Sequence, residues 1–205
     1  DADGALTSGH AYIRADDPAY EQPERLGGEL EGGDTAPLFA PGMAAASALF
    51  CALVPGDHVV APRIMYWGLR KWLSEFAISW GVDVTWADTS DSDAIRAGVR
   101  QGHTRLVWIE TPANPTLKLT DVAAVAAVTR AAGVRLVVDN TFLTSLLQDV
   151  LAQGADVVVY STTKYIDGHN GTVGGALLTR DEQLIERLRL VQSTLGVAQS
   201  PFEAW

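Results

Sequence analysis

The chain has 205 residues, of which 47% are hydrophobic and 20% are charged, a composition that is typical of a globular domain with a substantial core and excludes a disordered chain. The formal net charge of -10 argues against binding to nucleic acid or to an anionic membrane, because neither attracts an acidic surface. The single cysteine, Cys51, excludes an internal disulfide, and a small molecule is left as the main candidate for a ligand.

The N-terminal residues predict an arm rather than a secretory or membrane segment. The start, DADGALTSGH, lacks a basic region followed by an apolar one, and no apolar run in the sequence approaches the length of a membrane span. We therefore expect a cytoplasmic protein. Residues 1–22 are polar and irregular, which indicates an arm, and residues 23–205 are expected to form one large domain.

The stretch APGMAAASALF predicts a helix that begins with an anion site. Gly42 and Met43 stand at the start of an alanine-rich segment, where free N–H groups and the helix dipole favour a phosphate. Taken alone, the stretch would more often be a plain junction between a loop and a helix. Cys51 follows among small apolar residues, and we interpret it as a packing residue.

The rest of the sequence alternates between strand and helix patterns. Apolar runs that are typical of strands are DHVVAP, VDVTWAD, RLVWIE, RLVVDN and DVVVYS. Segments with helical spacing stand between them, namely YWGLRKWLSEFAISWG, DAIRAGVRQG and DVAAVAAVTRAAG. Uniformly apolar strands that alternate with helices predict a three-layer α/β/α domain around a mostly parallel central sheet.

Polar residues follow three of these predicted strands. Asn114 stands between two prolines after RLVWIE, Asp139 follows RLVV, and Ser161, Thr163 and Lys164 follow DVVVY. Ligands bind beyond the carboxyl ends of strands in open parallel sheets, so we expect these side chains to share a site. Taken singly, Asp139 would more often cap a helix and Asn114 would more often close a turn.

Lys164 is harder to explain by structure alone. The sequence has three lysines, and both Lys71, in an amphipathic segment, and Lys118, after a turn, are easily solvated. Only Lys164 ends an apolar run, where burial and nearby cations would lower its pKa and make the amine a nucleophile.

Two rival ligands have little support in the sequence. Neither GxxxxGK[ST] nor GxGxxG occurs, which argues against a nucleotide. The four histidines show no paired ligand spacing, and we expect no metal. A phosphate site, a nucleophilic lysine and a strand-end aspartate together suit pyridoxal phosphate, whose aldehyde needs an amine and whose ring nitrogen needs an acidic partner.

The sequence resembles the Cys/Met-metabolism family of fold-type I pyridoxal-phosphate enzymes, which includes cystathionine γ-synthases, cystathionine lyases and methionine γ-lyase. STTKYIDGHNGTVGG is very close to the family signature around its Schiff-base lysine, and PGMAAA, ETPANP and VVDNTF stand in the expected order and spacing. The resemblance implies that residues 23–205 are the cofactor-binding large domain. It also implies that a link begins at about residues 195–205 and that the small C-terminal domain to which this link leads in the family is absent from the sequence.

The resemblance further implies roles for individual residues. Lys164 would form the Schiff base and move the Cα proton, Asp139 would pair with the pyridine nitrogen, and Tyr66 would stack on the ring and assist proton transfer. Tyr12 and Arg14 look like the family element that reaches the phosphate of a neighbouring subunit, which implies a homodimer or homotetramer with shared active sites. The other expected cofactor contacts are Gly42, Met43, Asn114, Thr141, Ser161 and Thr163.

The activity that the resemblance implies is a carbon–sulfur lyase. It would act on a sulfur-containing amino acid, such as cysteine, cystathionine or an S-substituted cysteine, by β- or γ-elimination. The same residues could serve γ-replacement, as in transsulfuration, which stays open as an alternative. In the family, the arginine that grips the substrate carboxylate belongs to the C-terminal domain, and no residue here matches it. A non-catalytic or partner-dependent half-enzyme is therefore another alternative.

Overall fold

A mixed β-sheet forms the centre of the structure, a computed structural model that describes residue 10 and residues 12–14, 17–33 and 35–205. Within these residues the sheet has seven strands in the order β1-β7-β6-β5-β4-β2-β3. The strands are β1 Leu38–Phe39, β2 His58–Pro62, β3 Asp83–Ala87, β4 Thr104–Glu110, β5 Arg135–Asp139, β6 Val157–Tyr160 and β7 Gly175–Thr179.

The prediction of a mostly parallel sheet is confirmed. Strands β3, β2, β4, β5 and β6 run parallel to one another, whereas β7 pairs antiparallel with β6, and β1 pairs antiparallel with β7. The five strands predicted from apolar runs all form, and the two that pair antiparallel are additions. Strand β1 is only two residues long, and β7 follows a glycine-rich stretch, so neither has a clear strand pattern.

Helices cover both faces of the sheet, which gives the three predicted layers. They are α1 Pro18–Leu30, α2 Gly42–Cys51, α3 Trp67–Trp72, α4 Ser92–Gly98, α5 Val122–Ala132, α6 Thr144–Leu147, α7 Glu182–Leu195 and α8 Pro201–Ala204. Among the residues that the structure describes, no helix is both long and apolar enough to cross a membrane.

Alternate strand residues supply the two halves of the core. Val157 and Val159 of β6 pack in one cluster with residues of α2, α3 and α7. Val158, between them, packs in the other cluster with residues of α4 and α5. Because successive strand residues point to opposite faces, a run that is apolar at every position is buried on both sides.

Two predicted boundaries differ from the observed elements. Helix α1 begins at Pro18, and the Asp17 side chain caps it by accepting the N–H of Ala19 at 2.8 Å, so the helix crosses the predicted division between residues 22 and 23. The division into arm and domain stays a prediction. The segment predicted as one helix after Tyr66 forms α3, then a π-helical turn at Leu73–Ala77 and a 3₁₀ turn at Ile78–Trp80.

A buried polar network lies at the ends of β5 and β6. The Tyr160 hydroxyl donates to Oε1 of Glu31, and the Asn140 amide donates to the Tyr160 hydroxyl and to the Gln148 carbonyl, each at 2.9 Å. Glu31 is 2% exposed. Burial raises the pKa of its carboxyl to about 7, and the negative charge of Asp149 adds to the rise.

We expect Glu31→Gln to change how the stability of the fold depends on pH. The folded pKa of Glu31 is about 7 and its ordinary value is 4.5, so the folded state binds this proton more tightly and the free energy of unfolding falls as pH rises between these values. Glutamine keeps the carbonyl that accepts the Tyr160 hydroxyl and carries no charge. We therefore expect the urea midpoint of Glu31→Gln, relative to that of the wild type, to be higher above pH 7 than below pH 4.5.

Glu29→Gln, a change to an exposed glutamate in the last turn of α1, which Glu31 directly follows, is the control for this measurement. An equal pH dependence of the stability difference in both variants would rule out Glu31 as its source.

Candidate active site

A cavity of about 760 Å³ opens at the carboxyl ends of the parallel strands. Residues that follow β4, β5 and β6 meet there with the N-terminus of α2 and with the start of α3. The cavity therefore lies where an open parallel sheet places its ligands. Nine of the predicted site residues line it: Gly42, Met43, Tyr66, Asn114, Asp139, Thr141, Ser161, Thr163 and Lys164.

Tyr12 and Arg14 lie outside this cavity. The Arg14 guanidinium donates to the carbonyl of Ser193 in α7 at 2.5 Å, and it lies over the Tyr12 ring, 5.1 Å from the ring centroid. The Tyr12 side chain is exposed. The fold thus does not bring this pair to the cavity of its own chain, and their contact with a neighbouring subunit stays a prediction.

Asp139 and Ser161 are joined through Thr141 at the floor of the cavity. The Thr141 N–H donates to Oδ1 of Asp139 at 3.1 Å, and the Thr141 hydroxyl oxygen accepts the N–H of Ser161 at 2.8 Å. These two bonds connect the end of β5 to the end of β6. The side chains of Asp139 and Thr141 thus fix the backbone at this end of the cavity.

The Asp139 carboxyl is enclosed by protein atoms except where the cavity reaches it. Burial raises its pKa, while the bonds from Thr141 act in the opposite direction. In the part of the chain that the structure describes, no lysine, arginine or histidine forms an ion pair with it. A carboxylate in such a position favours a ligand that brings a proton or a positive charge.

The opposite part of the cavity has the character of an anion site. Helix α2 begins at Gly42, and its N-cap residue, Pro41, makes no side-chain cap, so the first N–H groups of the helix are left for a ligand. The Ser161 hydroxyl has no partner among the described residues. A Cβ added to Gly42 would lie 2.7 Å from the Cβ of Ser161, and only glycine allows this approach.

Thr163 is more constrained than the sequence suggested. Its hydroxyl donates to the Gly174 carbonyl at 3.2 Å and accepts the Gly174 N–H at 2.9 Å. A hydroxyl has one hydrogen to donate, so a bond from Thr163 to a ligand would replace the one to Gly174.

Lys164 is exposed, although its place after an apolar run suggested burial. Strand β6 ends at Tyr160, and Lys164 lies in the turn that follows, where its N–H donates to the Ser161 carbonyl at 3.1 Å and its carbonyl accepts the Gly168 N–H at 2.8 Å. The expectation of burial was wrong because the strand ends four residues before Lys164, which lies in the exposed turn beyond it. The side chain still lines the cavity.

Glu110 is a cavity residue that the sequence reasoning missed. It is 6% exposed, and its carboxylate accepts the N–H of Tyr66 at 2.7 Å through Oε2 and the N–H of Asn114 at 2.6 Å through Oε1. Burial, followed by the negative charge of Asp139, raises its pKa to about 7. The rule that singled out Asp139, a carboxylate at the end of an apolar run, applies equally to Glu110 in RLVWIE.

Comparisons with known proteins agree with this geometry. The family model described as Cys/Met metabolism PLP-dependent enzyme matches residues 2–205. The chain is 41% identical over its whole length to a cystathionine gamma-synthase of Mycobacterium leprae, and 38% identical over 97% of its length to a cystathionine gamma-lyase of Bacillus subtilis. It spans 53% and 52% of these two proteins, about half the length of each.

Solved structures show the same fold. The crystal structure of metB from Corynebacterium glutamicum superposes with a TM-score of 0.95 at 40% identity, covering 100% of this chain and 53% of that one. A cystathionine gamma-lyase of Lactobacillus plantarum, complexed with L-serine, gives a TM-score of 0.94 at 31% identity, covering 98% of this chain and 52% of that one. The resemblance to fold-type I enzymes is confirmed for the large domain.

We expect Gly42→Ala to damage both the stability of the protein and its affinity for pyridoxal phosphate. The new Cβ would lie 2.7 Å from the Cβ of Ser161, and overpacking of this kind costs about 1–3 kcal/mol. Moving α2 away from β6 would also displace the N–H groups that face the anion site. Thermal unfolding without the cofactor and a cofactor dissociation constant test the two effects.

Gly33→Ala is the matched control, since the nearest atom to its new Cβ would be 3.9 Å away. Equal losses of cofactor affinity in the two variants would contradict the importance of the contact between Gly42 and Ser161.

Proposed function

The chain belongs to the Cys/Met metabolism family of pyridoxal-phosphate-dependent enzymes, and from this premise we propose that it is the cofactor-binding part of a carbon–sulfur lyase. The substrate is a sulfur-containing amino acid of the cysteine, cystathionine or S-substituted cysteine type, and the reaction is a β- or γ-elimination. One observation carries the proposal: an amine, an enclosed carboxyl and an open helix N-terminus line the same cavity, at Lys164, Asp139 and Gly42.

The residues present fit pyridoxal phosphate at each of its three functional groups. The first N–H groups of α2 and the free hydroxyl of Ser161 suit the phosphate. Asp139, enclosed and without a basic side chain paired to it among the described residues, suits a protonated ring nitrogen. The exposed amine of Lys164, which lines the cavity, suits the aldehyde. Met43, Thr141 and Thr163 are further proposed contacts.

The cofactor, when bound, supplies an electron sink that stabilises negative charge at the α carbon of the substrate. In the proposed mechanism the Lys164 amine removes the proton from the substrate Cα. Asp139 holds a proton on the ring nitrogen by remaining negatively charged beside it. The Tyr66 hydroxyl gives a proton to the leaving sulfur, and the Asn114 amide orients the ring oxygen. Hydrolysis after departure of the thiol gives a keto acid and ammonia.

The second candidate is γ-replacement, in which an incoming thiol takes the place of the leaving group. The 41% identity to a protein named cystathionine gamma-synthase favours it as much as the 38% identity to one named cystathionine gamma-lyase favours elimination. Lys164, Asp139 and Tyr66 would serve the proton transfers of both reactions.

We also propose that the protein is a cytoplasmic homodimer or homotetramer. Tyr12 and Arg14, which lie outside the cavity of their own chain, would face the phosphate bound by a neighbouring subunit. Each active site would then be shared between two copies.

We expect Lys164→Ala to lose elimination activity while the fold is retained. Removing the residue that takes the Cα proton should lower kcat by about a hundredfold to ten-thousandfold. Release of keto acid and ammonia from cystathionine or cystine by the intact, cofactor-loaded protein measures the effect. Lys118→Ala is the control, because Lys118 forms an exposed pair with Asp88 at 2.7 Å. Equal activity of Lys164→Ala and the wild type would refute the lyase proposal.

The same assay, run with an amino acid that carries a γ leaving group and with added cysteine, separates elimination from replacement. A thioether product formed at the expense of keto acid and ammonia would assign the protein to replacement.

A further inference from the structure

We infer that Glu110 is a positioning residue whose buried carboxylate, by accepting the backbone N–H groups of Tyr66 and Asn114, holds the two loops that carry these side chains in the cavity. This role deepens the proposed function and rests on it only where activity is concerned. The contacts themselves belong to the cofactor-free protein.

The geometry of the two hydrogen bonds supports this role. Each carboxylate oxygen of Glu110 takes one N–H, that of Tyr66 at 2.7 Å and that of Asn114 at 2.6 Å, so one side chain joins two separate loops. Tyr66 precedes α3 and lies 44 residues before Glu110, whereas Asn114 lies four residues after it. At a pH above the raised pKa of Glu110, which is about 7, the acceptor is ionised, and bonds from N–H groups to an ionised acceptor are about twice as strong as neutral ones.

Tyr66 and Asn114 depend on such an anchor because their side chains have little else to hold them. Both are exposed. Within the described residues neither the Tyr66 hydroxyl nor the Asn114 side-chain amide has a hydrogen-bond partner. The Tyr66 ring also packs closely over Gly68, where an added Cβ would lie 2.7 Å from Cε1. The position of the Tyr66 ring therefore depends on the position of the Tyr66 backbone, which Glu110 holds.

The surroundings of Glu110 make a purely structural role a poor explanation. Its Cα pairs with that of Asp139 in the register of β4 and β5, so the two carboxyl groups leave neighbouring strands side by side. Burial next to a like charge disfavours the ionised state of both groups. An apolar side chain at this position would stabilise the sheet more than Glu110 does, because a buried charge without a cationic partner is destabilising.

Glu110→Gln is the first variant to test. It preserves the volume of the side chain, but one oxygen becomes an amino group that cannot accept an N–H, so at least one of the two bonds is lost. Glu110→Asp, which is too short by one methylene to reach both N–H groups, is the second variant if the first fails to fold. Asp57→Asn is the control for loss of a buried carboxylate: Asp57 accepts the Val54 N–H at 2.9 Å, directly precedes β2 away from the cavity, and is also paired with Arg105, so the change removes an ion pair as well.

Hydrogen exchange in the cofactor-free protein tests the contacts directly. We expect the amides of Tyr66 and Asn114 to be protected in the wild type, and at least one of them to exchange roughly tenfold faster or more in Glu110→Gln, since a hydrogen bond to a charged group is lost. Asp57→Asn should leave both amides unchanged. Unchanged exchange at both amides in Glu110→Gln would overturn the inference.

The cofactor-loaded intact protein tests the consequence for the site. The circular dichroism of the bound cofactor, which reports the stacking of the ring, should change in Glu110→Gln and not in Asp57→Asn. Displacement of catalytic groups by about 1 Å costs on the order of a hundredfold, so kcat should fall by about that factor with a smaller change in KM. A loss shared equally by Asp57→Asn would refute a positioning role.

The two proposals fail in different ways. Faster amide exchange in Glu110→Gln, together with no elimination activity in the wild type, would support the role of Glu110 and reject the lyase. Elimination activity in the wild type, together with unchanged amide exchange in Glu110→Gln, would support the lyase and reject the role of Glu110.

Discussion

The parallel alignment of β4, β5 and β6 is the constraint on which the rest of the site depends. Parallel strands end at one edge of the sheet, and the register pairs Glu110 of β4 directly with Asp139 of β5. Ser161, just beyond β6, is joined to that edge through the Thr141 hydroxyl. Groups that lie far apart in the sequence therefore meet without any need for a long loop to reach across the protein.

Close backbone packing completes the cavity. A Cβ on Gly42 would meet Ser161 at 2.7 Å, and one on Gly175 would meet the Cα of Gly42 at 2.6 Å. The N-terminus of α2 thus lies against both β6 and β7, closer than any other residue type allows. The helix dipole and the free N–H groups of α2 are thereby aimed at the same space as the carboxyl groups of the strand ends.

The cavity acids differ from the ion-paired acids of the scaffold. Structural acids such as Asp57 and Asp181 are paired with Arg105 and Arg135, each at 2.7 Å, and their pKa values are lowered. At the cavity the direction is reversed, because burial raises the pKa of Glu110 to about 7 and also raises that of Asp139. Burial also raises the pKa of Glu31, which lies outside the cavity, to about 7, so the raised values of Glu110 and Asp139 indicate a functional site only together with the cavity that both residues line.

Local patterns in the sequence determined the strands β2 to β6, the helices α2, α4 and α5 and the family motif around Lys164, because apolar periodicity and turn residues act over a few neighbouring positions. Tertiary structure alone decided the antiparallel addition of β7, the exposure of Lys164, and the bond between Glu110 and the Tyr66 N–H, which spans 44 residues. The sequence pointed to Asp139 through its place after a strand, yet the same signal at Glu110 had no meaning until its partners were known. Strand order, register and the length at which a strand ends depend on packing between distant segments, and local propensity does not contain that information.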